Sequence, residues 1–368
     1  MKIAQIAPLY ESVPPRHYGG TERVVSYLTE ELVSQGHEVT LFASGDSITS
    51  AKLVPCVSKA LRLDSNCIDS LVHHIYLLET VFRVADEFDI LHFHIDYMHF
   101  PLSRRNCFPQ LTTLHGRLDI PDLVPLYKEF VDMPLVSISN SQRKPLPWVQ
   151  WVGTVYHGLP EYLYCFHDKP GSYLAFLGRI SPEKRPDIAI EIARRVGIPL
   201  KIAAKVDKAD QDYYDQRIKP LLNDPLVEYI GEIDDRQKEE FLGKAYALLF
   251  PVDWPEPFGL VMIEALACGT PIVAFGNGSV TEVMEEGHTG YVVHDVEAAV
   301  KAIEKIEKLD RHLCRQVFEN RFSAAKMAEG YLAVYHKLLG QRNKGKFRHI
   351  HTGKEDPPPL AEEVIVSR

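Results

Sequence analysis

Short apolar runs rich in β-branched residues alternate along this chain with segments whose apolar residues recur every three to four positions, the pattern of βαβ units around a parallel sheet. The pattern occurs twice. In the first half, strands are expected at Lys2–Ala7, Glu38–Phe42, Ile90–His94, Leu111–Leu114, Leu135–Ser139 and Thr154–His157. A helix is expected over Thr21–Ser34, where Val24, Leu28 and Leu32 make one apolar stripe and Gly36 supplies the stop. Prolines and aromatics between Lys144 and Pro170 break the period, which places a junction there. A second series follows at Tyr173–Leu177, Leu200–Ala204, Val227–Ile230, Ala247–Phe250, Pro271–Ala274 and Tyr291–Val293.

The fold class expected is therefore α/β, with two doubly wound Rossmann-like domains facing a cleft. The N-terminal domain spans 1–160 and the C-terminal one 170–322. Ser323–Leu339 reads as an amphipathic helix with Met327, Tyr331, Val334, Tyr335, Leu338 and Leu339 on its apolar side. From 341 to 368 no apolar period survives, and disorder is expected. The basic cluster Lys344, Lys346, Arg348 offers at most a weak peripheral membrane contact. Ligands of doubly wound sheets sit beyond the carboxyl ends of the strands, so loops from both halves should meet in the cleft.

The 368 residues suffice for two domains. With 41 Lys plus Arg against 50 Asp plus Glu, the net charge of -9 argues against nucleic acid as a partner and requires any anion to be met locally. The six cysteines, Cys56, Cys67, Cys107, Cys165, Cys268 and Cys314, form neither a C-x-x-C pair nor a zinc spacing, as expected of reduced thiols in the cytoplasm. The first residues are too short an apolar run for a signal peptide, and no stretch approaches a transmembrane span.

The densest chemical signal is Glu256-Pro-Phe-Gly-Leu-Val-Met-Ile-Glu264, two carboxylates across a strand-loop-helix junction. The helix opening at Gly259 is apolar nearly all round, so Glu264 sits where a charge needs partners, and a ligand diol could supply the donors. Amides of Gly259, Leu260 and Val261 at that helix start favour an anion. Gly178-Arg179 and Ser181-Pro182-Glu183-Lys184 add two cations at the end of the second series' first strand, suited to a diphosphate. Taken singly, an Arg and a Lys in a loop are surface residues, and a lone Glu on a helix faces solvent or a structural Arg. Their convergence on one cleft changes that reading.

In the first half, Gly19-Gly20 before a helix resembles a phosphate-cradling turn, though two glycines more often form a simple loop. His115-Gly116 after Leu111–Leu114 is another cleft-edge pair, and an isolated histidine there is ordinarily structural. His92-x-His94 with Asp96 lacks further ligands at metal spacing. Asp210-Gln211-Asp212 could hold a divalent ion, yet its place at a helix start explains its charges simply. No metal is expected.

In order along the chain, Gly19-Gly20-Thr-Glu22, Gly178-Arg179 with Glu183-Lys184, Glu256-x7-Glu264 and Ala267-Cys-Gly269-Thr-Pro271-Ile-Val resemble the retaining family 4 (group 1) glycosyltransferases of GT-B fold. The resemblance runs from about Met1 to Gly340. It implies that Arg179 and Lys184 hold the donor diphosphate in place of a metal, and that Glu264 binds the ribose. It further implies that Glu256 contacts the donor sugar, and that Phe258, Gly259 and Leu260 offer backbone groups to sugar and phosphate. Gly20 would let the first domain approach the diphosphate, and His115 would touch the sugar. The C-terminal helix would cross back to the first domain, and closure would complete the site. No cofactor is implied beyond a nucleotide-sugar co-substrate, and the acceptor hydroxyl could belong to a glycan, a lipid or a small molecule.

Departures from the family leave the donor open. Lys205-Val-Asp207-Lys208 stands where many relatives have glycines, and Asn277-Gly278-Ser279-Val280 before Glu282 lacks a Gly-Gly. Acceptor contacts are expected around Arg16, His17, His94, Asp96 and Arg117. A GT-B epimerase, a glycan phosphorylase or a catalytically silent GT-B partner subunit are the competing readings.

Overall fold

The computed structural model describes residues 1–16, 19–106 and 108–343. Its strands form two parallel sheets. The first holds β1 (Lys2–Ile6), β2 (Glu38–Ser44), β3 (Lys52–Val57), β4 (Ile90–Phe93), β5 (Gln110–Thr113), β6 (Leu135–Ser137) and β7 (Trp151–Thr154), in the order β3-β2-β1-β4-β5-β6-β7. The second holds β8 (Tyr173–Arg179), β9 (Leu200–Lys205), β10 (Val227–Gly231), β11 (Ala245–Phe250), β12 (Ile272–Phe275) and β13 (Gly290–Val293), in the order β10-β9-β8-β11-β12-β13. The strand order reverses direction between β1 and β4 in one sheet and between β8 and β11 in the other. These are the positions where doubly wound sheets bind ligands.

The central strands read as continuous apolar runs because helices cover both faces: Ile3, Ala4 and Ile6 of β1 and Leu174, Ala175 and Phe176 of β8 are all buried. Strand β3, absent from the sequence expectation, lies at the sheet edge, where Pro55 lacks an N–H without breaking a central ladder. The last strand of the first sheet runs over Trp151–Thr154 rather than Thr154–His157. Beyond Thr154, only Val155 continues the ladder, its N–H bonding Ser137 O at 2.9 Å, and the chain then leaves the sheet.

The chain crosses between the sheets twice, side by side. Leu159 bridges Ser323 in parallel, with Leu159 N to Phe322 O at 2.9 Å and Ala324 N to Leu159 O at 2.7 Å. The helix Ala324–Asn343 then lies against the helix Gly20–Ser34 and continues past Gly340, where the sequence suggested an end. Its Tyr331 and Tyr335 are fully buried and Lys337 donates to Val152 O at 3.0 Å, so this helix packs on the first sheet's unit. The remaining tail, 344–368, lies outside the described residues, as do His17 and Cys107.

Two polar contacts also join the units. The Glu282 carboxylate accepts from the N–H groups of Asn140 (2.7 Å) and Ser141 (2.6 Å) and from Tyr156 OH (3.1 Å). Arg23, buried, pairs with Asp235. Glu282, noted in the sequence only as following an altered loop, thus caps a turn of the opposite unit. Among the described residues, no helix is long and apolar enough to cross a membrane, and Cys56, Cys67, Cys165, Cys268 and Cys314 are free thiols.

Candidate active site

The four loops at the two switch points converge on one cleft of ≈ 580 Å³. Gly19 and Gly20 come from the loop after β1, His94 and Asp96 from the end of β4, Arg179 and Lys184 from the end of β8, and Glu256 to Glu264 from the segment after β11. The residues to which the resemblance gives a part in binding or reaction line this cleft, namely Gly19, Gly20, His115, Arg179, Lys184, Glu256, Phe258, Gly259, Leu260 and Glu264, whereas Glu183 and the segment 267–273 do not.

Two helices open onto it without a side-chain cap. The helix Gly20–Ser34 begins at Gly20, one residue earlier than expected, and the helix Leu260–Ala267 follows Gly259. Their first N–H groups are unsatisfied within the helix and carry the positive end of the macrodipole, so the cleft presents two anion-seeking ends. Gly259 is required by its backbone: φ is 79°, and a Cβ would fall 2.9 Å from Met262 Cε. Gly19 is required by its own loop instead, because a Cβ there would fall 2.8 Å from Pro15 Cβ. Gly20 brings the two helix starts together, with space for a Cβ 3.7 Å from Leu260 Cδ1.

Both cations suited to a diphosphate are paired with acids in the protein. Lys184 Nζ holds Glu256, which also accepts from Trp254 Nε1 at 2.8 Å, and lies 5.4 Å from the centre of the Trp254 ring. Arg179 sits among Asp210 (3.3 Å), Asp207 (3.7 Å) and Glu183 (4.0 Å). Asp210, the first acid of the D-x-D, is therefore a partner of Arg179 before any question of metal arises. Among the described residues, no group of three or more histidine, cysteine or acidic side chains is placed to hold a metal ion.

Glu264 is buried, as its apolar helix suggested, and its carboxylate meets Lys238 Nζ at 3.0 Å and Tyr164 OH at 3.5 Å. Lys238 lies in the helix Asp235–Gly243, beside Asp235 at 3.3 Å, and also lines the cleft. Nothing in its local sequence marks it, since a lysine in the second turn of a polar helix ordinarily faces water. Trp254 was missed as well; a tryptophan between prolines after a buried strand was the available signal. Arg16 is exposed, and Arg117 holds Asp119 at 2.7 Å while lying 5.6 Å from the centre of the Trp254 ring; neither lines the cleft.

On the first sheet's side the cleft wall is built of histidines. His115 stacks on His157, with ring centres 5.3 Å apart. The Nδ1 atoms of both are buried without a hydrogen-bond partner among the described residues. Buried polar atoms are nearly always satisfied, so two unpartnered ring nitrogens side by side at one cleft wall point to a polar ligand. His92 uses both ring nitrogens, on Tyr335 OH (2.8 Å) and Thr113 Oγ1 (2.7 Å), which leaves none for the metal that His-x-His invites. Asp96 adopts φ 51°, a conformation unusual for a non-glycine residue, and protein around it pushes its carboxyl up to about 6.

Burial lowers the His99 and His115 rings to about 3, and pushes those of His92, His94 and His157 well below the ordinary histidine value. An unfolded histidine takes a proton near pH 6.5 that these folded rings refuse, so below that pH the unfolded state binds more protons and stability falls. Each ring contributes a slope of up to about 1.4 kcal/mol per pH unit. The urea midpoint is accordingly expected to drop clearly between pH 7 and pH 5.5, whereas a flat profile would contradict neutral buried histidines.

Comparison with known proteins bears on this cleft. The family model described as "Glycosyl transferases group 1" matches residues 166–323, and that described as "Glycosyltransferase Family 4" matches 18–180. Together they reach from the loop before the helix Gly20–Ser34 to the second crossing. The chain is 24% identical to N-acetyl-alpha-D-glucosaminyl L-malate synthase of Bacillus anthracis, over 89% of this chain and 96% of that one. It spans less than half the length of several other relatives it matches, among them D-inositol 3-phosphate glycosyltransferase of Mycolicibacterium smegmatis (29% identical, 45% of this chain, 40% of that one). Among solved structures, AviGT4, a glycosyltransferase involved in avilamycin A biosynthesis, superposes with a TM-score of 0.71 at 23% identity, over 92% and 98% of the two chains. Anabaena Alr3699/HepE in complex with UDP and glucose gives 0.67 at 18% identity, over 92% and 100%.

Proposed function

This chain belongs to the group 1, family 4 glycosyltransferases and has their GT-B fold, and from that premise we propose that it moves a hexose from a nucleoside-diphosphate sugar to an acceptor hydroxyl, with retention of anomeric configuration and without a metal ion. The observation that carries this reading is the convergence of Arg179, Lys184 and two uncapped helix starts on one cleft, with the buried carboxylate of Glu264 beside them. A departing nucleoside diphosphate gathers negative charge in the transition state, and fixed cations and amides stabilise that charge with little reorganisation. The part a metal plays elsewhere falls here to Arg179 and Lys184.

In this reading the diphosphate displaces the carboxylates that hold the two cations in the free protein. Lys184 passes from Glu256 to phosphate, which leaves Glu256, still bonded to Trp254, to face the donor sugar. Glu264 receives the ribose hydroxyls, and the amides of Gly259 and Leu260 meet phosphate and sugar. The acceptor oxygen attacks the anomeric carbon on the face from which the diphosphate leaves, and a leaving-group oxygen takes the acceptor's proton. The bond to the diphosphate breaks as the new glycosidic bond forms, without a covalent enzyme intermediate. The acceptor belongs to a glycan, a lipid or a small molecule, and the reading places the protein in the cytoplasm.

UDP is the first probe because a structural neighbour binds it together with glucose. Thermal unfolding in EDTA is expected to shift upward with UDP, and a ligand at a hundred times its Kd stabilises by about 2.7 kcal/mol. Incubation of UDP-glucose and other nucleotide sugars with the protein should then release the nucleoside diphosphate slowly even without acceptor. Stabilisation that required a divalent ion would sink the metal-free mechanism. Silence towards every nucleotide sugar would sink the reading as a whole.

A further inference from the structure

A chain of buried hydrogen bonds runs from the cleft to the crossing helix. His115 Nε2 meets His94 Nδ1 at 2.9 Å, and His94 Nε2 meets the amide oxygen of Gln5 at 2.8 Å. The Gln5 amide nitrogen donates to Tyr335 OH at 3.2 Å, and Tyr335 OH meets His92 Nδ1 at 2.8 Å. His92 Nε2 meets Thr113 Oγ1 at 2.7 Å, and Thr113 donates to Tyr331 OH at 3.0 Å. Gln5, His92, Thr113 and both tyrosines are fully buried, and His94 is nearly so.

The proton positions follow from the chemistry of each group. An amide oxygen only accepts, so His94 Nε2 carries the proton it donates to Gln5. Burial keeps the His94 ring neutral, and its Nδ1 is therefore a bare acceptor. His115 Nε2 must then donate to it. The His115 ring is neutral too, so its remaining nitrogen, Nδ1, has no proton. That Nδ1 is the atom left without a partner in a side chain that lines the cleft.

We propose that Gln5 and His94 are positioning residues that hold His115 in the Nε2–H tautomer, so that its Nδ1 accepts a hydrogen bond from a hydroxyl of the donor sugar. The sugar's part in this rests on the glycosyl-transfer reading above; the tautomer does not. The recognition is directional. A hydroxyl, which can donate, satisfies the bare nitrogen, whereas an acceptor-only group such as a carboxylate or an ether oxygen at the same place meets a lone pair. Stacking on His157 fixes the plane of the His115 ring, and the amide of Gln5, the fourth of the five residues of the first strand, fixes its protonation from behind.

Long-range 1H–15N correlation spectra of protein labelled with 15N-histidine test the tautomer, with His115 assigned by the signals lost in His115→Asn. His115 Nδ1 is expected to resonate as an unprotonated ring nitrogen and Nε2 as a protonated one at pH 7. A protonated Nδ1 would mean that the chain runs in the reverse order, and would overturn the proposal. In Gln5→Leu the proton on His94 loses its acceptor, and His115 is expected to populate both tautomers; an unchanged spectrum would remove Gln5 from the role. His94→Phe, which takes away the acceptor of His115 Nε2–H, gives the same test if Gln5→Leu does not fold.

Titration with UDP and UDP-glucose supplies a second readout. Gln5→Leu is expected to bind UDP like the natural protein while the extra affinity contributed by glucose falls by about three- to tenfold, the worth of one neutral hydrogen bond. An intact glucose increment beside a changed tautomer would overturn the sugar contact. Where the natural protein prefers another nucleotide sugar the same comparison is made with that pair, and failure to bind any nucleotide sugar would count against the glycosyl-transfer reading while leaving the tautomer result standing.

Discussion

Replacing Lys184 by alanine is expected to lower turnover by about 10²- to 10³-fold, the loss measured elsewhere for one preorganised group at a developing charge. The structure holds Lys184 in place through its backbone. Lys184 N–H bonds Ser181 O at 3.2 Å, Asp253 N–H bonds Glu183 O at 2.8 Å, and Arg185 turns the chain at φ 52° into the helix Pro186–Val196. The ammonium is thus positioned before the donor arrives, between the Phe250 and Trp254 rings. Arg179→Ala should act in the same direction, since its guanidinium ends β8 in the same wall. Saturating-donor kcat measured beside the thermal midpoint separates chemistry from folding. A Lys184→Ala enzyme within threefold of the natural rate would remove this residue from the reaction.

The second large effect concerns Glu264, whose removal should be felt in affinity and in stability together. A hydrogen bond to a charged group contributes about 1.5–3 kcal/mol, so losing the ribose contact in Glu264→Ala should raise the donor KM at least tenfold. The same change leaves Lys238, only 15% exposed, without its closest carboxylate, and breaking a buried pair is destabilising by about 3–5 kcal/mol when no water reaches the survivor. Lys238 keeps Asp235 at 3.3 Å and some solvent, which puts the expected loss below that range. The double variant Glu264→Ala with Lys238→Met should recover most of the stability and none of the affinity. Recovery of both would show Glu264 to be only the counter-ion of Lys238.

Most of the fold was legible because buried parallel strands carry their own signature. Runs such as Leu174–Phe176 and Ala247–Phe250 are apolar on both faces, and no exposed element needs such a sequence. Strand β3 was not legible: it lies at an edge, mixes exposed and buried positions and contains Pro55, so its run lacks both period and continuity. The cleft's glycines, cations and carboxylates were legible as types at chain positions that doubly wound sheets bring together. Their partners were not. Lys238 is 26 residues from Glu264, Glu256 is 72 from Lys184, and Gln5 is 330 from Tyr335; no local pattern records such pairings.

The amino-acid sequence by itself determined two doubly wound sheets, the cleft between them and the chain positions from which Gly20, Arg179, Lys184, Glu256 and Glu264 reach it, because hydrophobic period and switch-point position are properties of order along the chain. The tertiary structure alone decided the state of those residues. Arg179 and Lys184 stand neutralised by acids from other loops, Glu264 answers a lysine from a neighbouring helix, and His115 takes its proton order from Gln5 through His94. Charge pairing and tautomer depend on distances of about 3 Å between groups far apart in the chain, and only the packed fold sets such distances.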